Sequence, residues 1–247
     1  MQALLQNLQK FEFEARIFVS LGIVAIVFCL SIGYFVHVPS LLLLLGIIAG
    51  ISEEAAQTIG FVFVAIVMAG VSIFRMWAGS LLTPHRVMAF RVQVDELRTA
   101  GPYRIVRNPI YLADFVAICS IAACLPVIGM LLPVLFCMHY LSIIRYEEVS
   151  LRARFGHEYE EYVARVPRLM PGARSVRNIP ASLKEFKITR AGARHNALFV
   201  LFVPGLLLAA VSHEFLIAVI VGIPAVIDWA VVHTRIGAKR SSGGTIS

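Results

Sequence analysis

Long apolar runs separated by short charged connections set the pattern of this chain. A helix that crosses a bilayer needs about 20 mostly apolar residues. Arg16 to Val38 is the first such run. It is too long for a signal-peptide core and no small-residue cleavage site follows, so it is read as retained. Ile59 to Leu82 is the second, and Tyr111 to Pro126 with Val127 to Ile144 form a pair. Pro126 marks the tight connection between them, where a helix must stop. Ala197 to Ser212 and Phe215 to Val232 form a second pair, joined by His213 and Glu214. The shorter run Pro39 to Ile51 is either a tilted short span or a helix lying at the interface. The expected fold is all-α, a polytopic transmembrane helical bundle of six to seven spans with a cytoplasmic amphipathic helical segment. Three regions follow: an N-terminal membrane segment (1–58), a core (59–172), and a linker with two further spans (173–247).

Composition supports the bilayer as solvent. Of 247 residues, 59% are hydrophobic and 15% charged, and the mean hydropathy is +0.81. Soluble domains carry roughly 45–50% and about 25%, so a secreted disulfide scaffold, a disordered chain and an ordinary cytosolic enzyme are excluded. Cys29, Cys119, Cys124 and Cys137 all lie in apolar runs without metal or redox spacing, and are read as packing residues. Charge placement gives the topology. Of the 22 Lys and Arg, five fall in Thr83–Pro109 and eleven in Arg145–Arg194, so both segments are expected on the cytoplasmic side. The net charge of +7 is thus mainly topological, with some attraction to lipid headgroups. The mixing of these cations with acids beside apolar spans argues against nucleic acid. There is no internal repeat, and the tail from Ser241 is small and polar.

The two basic segments carry the candidate chemistry. The first ends in GPYRIVRNPIYL, Gly101 to Leu112. Gly101-Pro102 signals a turn, and Asn108-Pro109 a helix start, with Asn as cap and Pro pre-shaped for the first helical position. Tyr103, Arg104 and Arg107 therefore sit in a tight loop at a helix mouth, which suits a carboxylate or phosphate. The second segment is YEEVSLRARFGHEYEEYVARVPRLMPG, Tyr146 to Gly172. The preceding span is expected to run on as a helix, placing Glu147 and Glu148 within a turn of the membrane surface, where acids are costly unless they bind something. Apolar and aromatic positions at three- and four-residue steps then predict one or two amphipathic helices broken at Gly156. Glu158, Glu160 and Glu161 read as a solvated face.

Together, GPYRIVRNPIY and EEVSLRARFGHEYEEYVARVPRLMP, separated by a two-span hairpin, resemble the isoprenylcysteine carboxyl methyltransferases and their bacterial relatives over roughly residues 59–172. Related phospholipid methyltransferases share the first block. The resemblance implies S-adenosylmethionine bound at the cytoplasmic ends of the spans and a lipophilic acceptor entering from the bilayer. By position it implies that Tyr103, Arg107, Tyr111, Glu147 and Glu148 line the cofactor pocket, joined by Arg104 and Asn108, and that Tyr159, Tyr162 and Arg168 close or brace it. Arg107, Asn108 and Glu148 form the candidate catalytic set. Leu151, Phe155, Gly156, Pro167 and Pro171 match as structural positions. The chain departs from the pattern at Asn108, where the family has histidine, and at Ala113, where it has glycine. Asparagine cannot titrate, so a role needing imidazolium is lost.

Methyl transfer from a sulfonium needs mainly positioning and exclusion of water, and effective molarity supplies about 7–11 kcal/mol of the barrier. A carboxylate acceptor needs no base. An amine or thiol would, and Glu147, Glu148 or His139 could supply it. The acceptor stays open among these three. Arg75 is expected to snorkel, and Asp114 to complement its helix dipole or stand beside the pocket. Asp228, deep in the last run, needs a partner such as His233. The histidines show no metal-ligand spacing. Two other classes are weighed: a sterol-reductase-like enzyme using a nicotinamide cofactor, and a non-catalytic membrane protein or transporter on the same scaffold.

Overall fold

A computed structural model describes residues 11–13, 15–33, 37–82, 96–224 and 227. His85, Asp228, Trp229, His233 and the polar tail lie outside the described residues. The helices are α1 (Arg16–Gly33), α2 (Leu41–Ile48), α3 (Glu53–Ser80), α4 (Pro109–Cys124), α5 (Leu131–Phe155), α6 (His157–Arg165), α7 (Ala173–Val176), α8 (Ile179–Lys184), α9 (Arg190–Asn196), α10 (Val203–Ser212) and α11 (Phe215–Pro224). Among the described residues there is no strand, only an isolated bridge between Ser40 and Pro126. Helix suits such sequences because in hydrocarbon every backbone group must find its partner within the segment.

Local signals explain the boundaries. The Ser52 hydroxyl accepts from the Ala55 amide at 3.3 Å, and Glu53 and Glu54 occupy the first turn of α3, where acids complement the dipole. Gly156 ends α5 with a φ of 50°, the left-handed region that favours glycine, so the break falls where the sequence places it. Among the described residues, three helices are long and apolar enough to cross a membrane: Arg16–Gly33, Glu53–Ser80, and Val127–Phe155 counted with its 3-10 lead-in. The other apolar helices, Pro109–Cys124, Leu198–Ser212 and Phe215–Pro224, are shorter. At 1.5 Å per residue, the 16 residues of α4 extend about 24 Å, against a hydrocarbon core of about 30 Å. The all-helical membrane fold is as expected, and three of the expected six to seven spans are full-length helices among the described residues. The break at Leu125-Pro126 and the 3-10 turn Leu198–Phe202 shorten their neighbours. Pro39–Ile51 holds only the eight-residue α2.

α3 is the central post, packed against α2, α4, α9 and α10. Its contact face joins Ala65 and Met68 to Ala113 and Ala117 of α4 and to Leu206, Ala209 and Ala210 of α10. Small residues let helix backbones approach closely, which is how helices associate in lipid. A second cluster joins Val27 of α1 to Leu132, Phe136 and Ile143 of α5.

At the basic end, α9 lies on α3 through Gly192. A Cβ there would overlap the Ser80 hydroxyl and come within 2.8 Å of Ser80 N and Cα. Gly192→Ala is expected to cost about 1–3 kcal/mol, read as a lower melting temperature in detergent. A wild-type melting temperature would show that this approach is slack.

Candidate functional site

The site assembles at the basic end, where the loop before α4 meets the C-terminal turns of α5 and the α6 segment. Gly101 has a φ of 54°, and Gly101–Arg104 forms a 3-10 turn. Trp77 and Leu81 pack so close to Gly101 that a side chain there would collide with Leu81 at 2.8 Å. The turn is pinned from the other side by Tyr162, whose hydroxyl donates to the Tyr103 carbonyl at 2.7 Å. The Arg107 amide donates to the Pro167 carbonyl at 2.9 Å. Burial pushes the phenols of Tyr103 and Tyr162 well above their ordinary range, and that of Tyr159 up to about 12. All three are neutral donors at any working pH.

Asn108 departs from its expected role. It occupies the position before Pro109, but its side chain makes no capping bond. Its amide donates instead to the Arg168 carbonyl at 3.0 Å. Once the side chain ties the two loops together, it cannot also fold back on the helix start. The first amides of α4 therefore have no side-chain cap, and Asn108, Pro109, Ile110 and Tyr111 all line a cavity.

The paired glutamates divide their work. Glu148 is buried and receives Arg107 through Nε at 3.2 Å and Nη2 at 2.8 Å, and Arg168 through Nε at 3.1 Å and Nη2 at 2.7 Å. Arg152 stands at 3.8 Å. Arg107 also donates through Nη1 to the Val166 carbonyl at 2.6 Å. The hydrogen bond to Glu148 holds the Arg168 guanidinium above its ordinary pKa, so the cluster stays charged. Every acceptor of Glu148 is used within the protein. This pair is a clamp between α5 and the loops. Glu147, the next residue, turns the other way and accepts the Tyr111 hydroxyl at 2.8 Å.

The cavity has a volume of about 420 Å³, within the range of small-molecule sites of roughly 300–1,000 Å³. Of the sequence-predicted residues, Tyr103, Arg107, Asn108, Tyr111, Glu147, Tyr159 and Tyr162 line it, and Arg104, Glu148 and Arg168 do not. Arg104 points outward to Glu185, at 2.7 Å. The opposite wall is apolar: Ile17, Leu21 and Val24 of α1 with Ile118 and Ile121 of α4. Leu198, Phe199 and Phe202, from the region beyond the resembling core, complete it.

Sequence reasoning missed two features. Arg75 does not snorkel; it is 5% exposed and forms an ion pair with Asp114 inside the bundle, beside the cavity. Asp114 was readable as a site residue, being three after Tyr111 on one helical face; its choice of Arg75 was not. The second is Glu185, in the basic linker. Its carboxylate accepts from Arg104 and from the Gly101 amide at 2.6 Å, which holds it below the ordinary value of 4.5. A depressed carboxylate contributes above its unfolded pKa and loses that contribution as pH falls through the folded one. Docking of α8 on the Gly101 turn is therefore expected to loosen as pH falls below about 4.5, read as lower amide protection factors in residues 179–185, with each rate referred to the intrinsic exchange rate at its pH. In Glu185→Gln, protection should be low already at neutral pH. Protection factors that do not change with pH in the wild type would dismiss the contact.

No solved structure matches the chain. The nickel-cobalt-cadmium resistance protein NccN of Alcaligenes xylosoxydans xylosoxydans is 28% identical over 133 residues, covering 52% of this chain and 59% of that protein. The chain thus spans about three fifths of that relative's length. A family model also matches: that of the phospholipid methyltransferases, over residues 58–158. That segment carries the Gly101 turn, Arg107, the hairpin and the two glutamates, and over it the chain is similar to the phospholipid methyltransferases.

Proposed function

We propose that this protein is an integral-membrane methyltransferase that takes S-adenosylmethionine as donor and a lipophilic or small molecule as acceptor. The observation that carries this reading is the two-sided cavity. One wall holds Glu147, Tyr111, Tyr103 and the uncapped amides of α4, and the other is mostly hydrocarbon, with Arg16 and Ser20 of α1 set in it. The residues fit such a donor. Glu147 would accept its hydroxyl or ammonium hydrogens, the amides at the start of α4 would meet its carboxylate, and Tyr103, Tyr140 and Phe199 offer aromatic faces to a cation. When bound, it supplies an already activated methyl group. The chain then has to orient, to exclude water and to keep Glu147 aimed, which the Tyr111 hydroxyl does at 2.8 Å. Ile17, Leu21 and Val24 would receive the acceptor's apolar part from the bilayer. The basic loops favour a cytoplasmic orientation for the Glu147 end, and an isoprenylcysteine-like carboxylate is among the acceptors this shape admits.

The test is calorimetric binding of S-adenosylmethionine to purified protein, followed by incubation of methyl-labelled donor with membrane extract. Saturable binding and a labelled lipid-soluble product are expected. Binding of NADPH in its place would move the protein to the reductase class, and binding of neither would end the enzymatic reading.

A further inference from the structure

A chain of polar groups runs away from the cavity into the interface between α1 and α5. Ser20 lines the cavity. Its hydroxyl stands 3.2 Å from His139 Nε2, and His139 Nδ1 stands 2.8 Å from a carboxylate oxygen of Glu12. Ser142 donates to the other oxygen of Glu12. His139 is buried at 3% exposure, between the rings of Phe136 and Tyr140. The partners decide the tautomer. A carboxylate can only accept, so Nδ1 carries the hydrogen and Nε2 is the free acceptor facing Ser20.

Resting on the methyltransferase reading, we propose that Ser20, His139 and Glu12 form a proton-accepting relay that opens on the cavity. The group methylated there is then a protic nucleophile, an amine or a thiol. As the acceptor's lone pair bonds to the methyl carbon, the carbon–sulfur bond of the methylsulfonium donor breaks and its electron pair stays on sulfur. The acceptor's proton passes to Ser20 Oγ while the Ser20 proton passes to His139 Nε2. His139 ends with the positive charge that the donor has lost. The site is built to hold that charge: Glu12 faces Nδ1, and the Arg16 carbonyl, 3.3 Å from Nε2, accepts the new N–H. Among the described residues the Arg16 guanidinium also stands nearby, 4.3 Å over the ring of Phe13 and donating to the Phe13 carbonyl at 3.1 Å. Ser20 is no acyl nucleophile. It lies within α1, where backbone amides are spent on the helix, and an oxyanion would find no paired donors. A carboxylate acceptor would leave this wiring without work, since it has no proton to shed.

The relay sits far from the Glu147 end. His139 precedes Glu147 by about 12 Å along α5 at 1.5 Å per residue. Donor binding and proton acceptance can therefore be measured separately. The full chain, labelled with ¹⁵N-histidine, would be titrated in micelles with dodecylamine, dodecanethiol or dodecanoate. The His139 Nε2 signal should move with the amine or the thiol, whichever is the acceptor class, and not with dodecanoate. Ser20→Ala should abolish that response while keeping the Nδ1–H signal to Glu12. In methyl transfer to the responding probe, Ser20→Ala and His139→Gln should lower the rate about 100-fold or more. Donor binding should stay unchanged in both. Silence of His139 toward both protic probes, a response that survives Ser20→Ala, or dodecanoate as the better acceptor would each overturn the relay. A wild-type protein that binds no S-adenosylmethionine would instead remove the methyltransferase reading.

Discussion

Glu148→Ala should lower stability by about 3–5 kcal/mol, because it strands two arginines that share one buried carboxylate. Arg107→Ala should cost a similar amount by stranding the acid. The double variant should lose clearly less than the sum, since the second removal takes away a charge the first has already orphaned. Melting in detergent reads all three. The cluster's geometry makes the prediction sharp: Glu148 is 2% exposed on its side chain, and Arg107 is 7%. With the clamp gone, the Gly101–Asn108 loop and the segment after α6 lose their tie to α5, so donor binding should fall together with folding. Additive losses, or wild-type melting in either single variant, would show that the three groups do not form one unit.

Glu147→Gln should behave in the opposite way. Its neighbours are a phenol and the Arg16 cation and its other face is the cavity, so none of the ties between the loops depends on its charge. A hydrogen bond to a charged group is worth about 1.5–3 kcal/mol, so affinity for S-adenosylmethionine should drop roughly 10- to 100-fold, with a melting temperature near that of the wild type. Tyr111→Phe should give a smaller loss in the same direction, since it removes the donor that aims the carboxylate and leaves the carboxylate in place. The contrast between adjacent glutamates is the informative result. If Glu148→Gln abolished binding with full stability while Glu147→Gln did nothing, the roles assigned to the two would be reversed.

The parts of this molecule that were legible in its sequence are those governed by neighbours along the chain. The run from α5 toward Phe155, the break at Gly156 and the helix start at Pro109 follow from local backbone preferences. The approach of the Arg107 loop to the 147–148 pair was readable because two ordered motifs flank a hairpin short enough to return the chain to the same end. What was not legible depends on partners distant in sequence. Asn108 satisfies every local rule for a cap, yet the Arg168 carbonyl takes its amide. Arg75 satisfies every rule for snorkelling, yet Asp114 lies across the helix interface. Glu148 was expected in the pocket beside Glu147 because the resemblance carries both over by position. Successive helical positions point about 100° apart, and that rotation alone turns one carboxylate to the cavity and the other to the arginines.

The apolar wall draws on both extremities of the polypeptide, residues 17–24 and 198–202, whereas Tyr103 to Glu147 lie inside the segment that matches the family. On the proposed reading, much of the surface that would select the other reactant is therefore written outside that stretch of the gene, with Ile118 and Ile121 as its share inside. Grafting new flanks onto residues 58–158 would then re-tailor what enters from the lipid while Glu147 stays in place, and pruning them would leave a holder with half a floor.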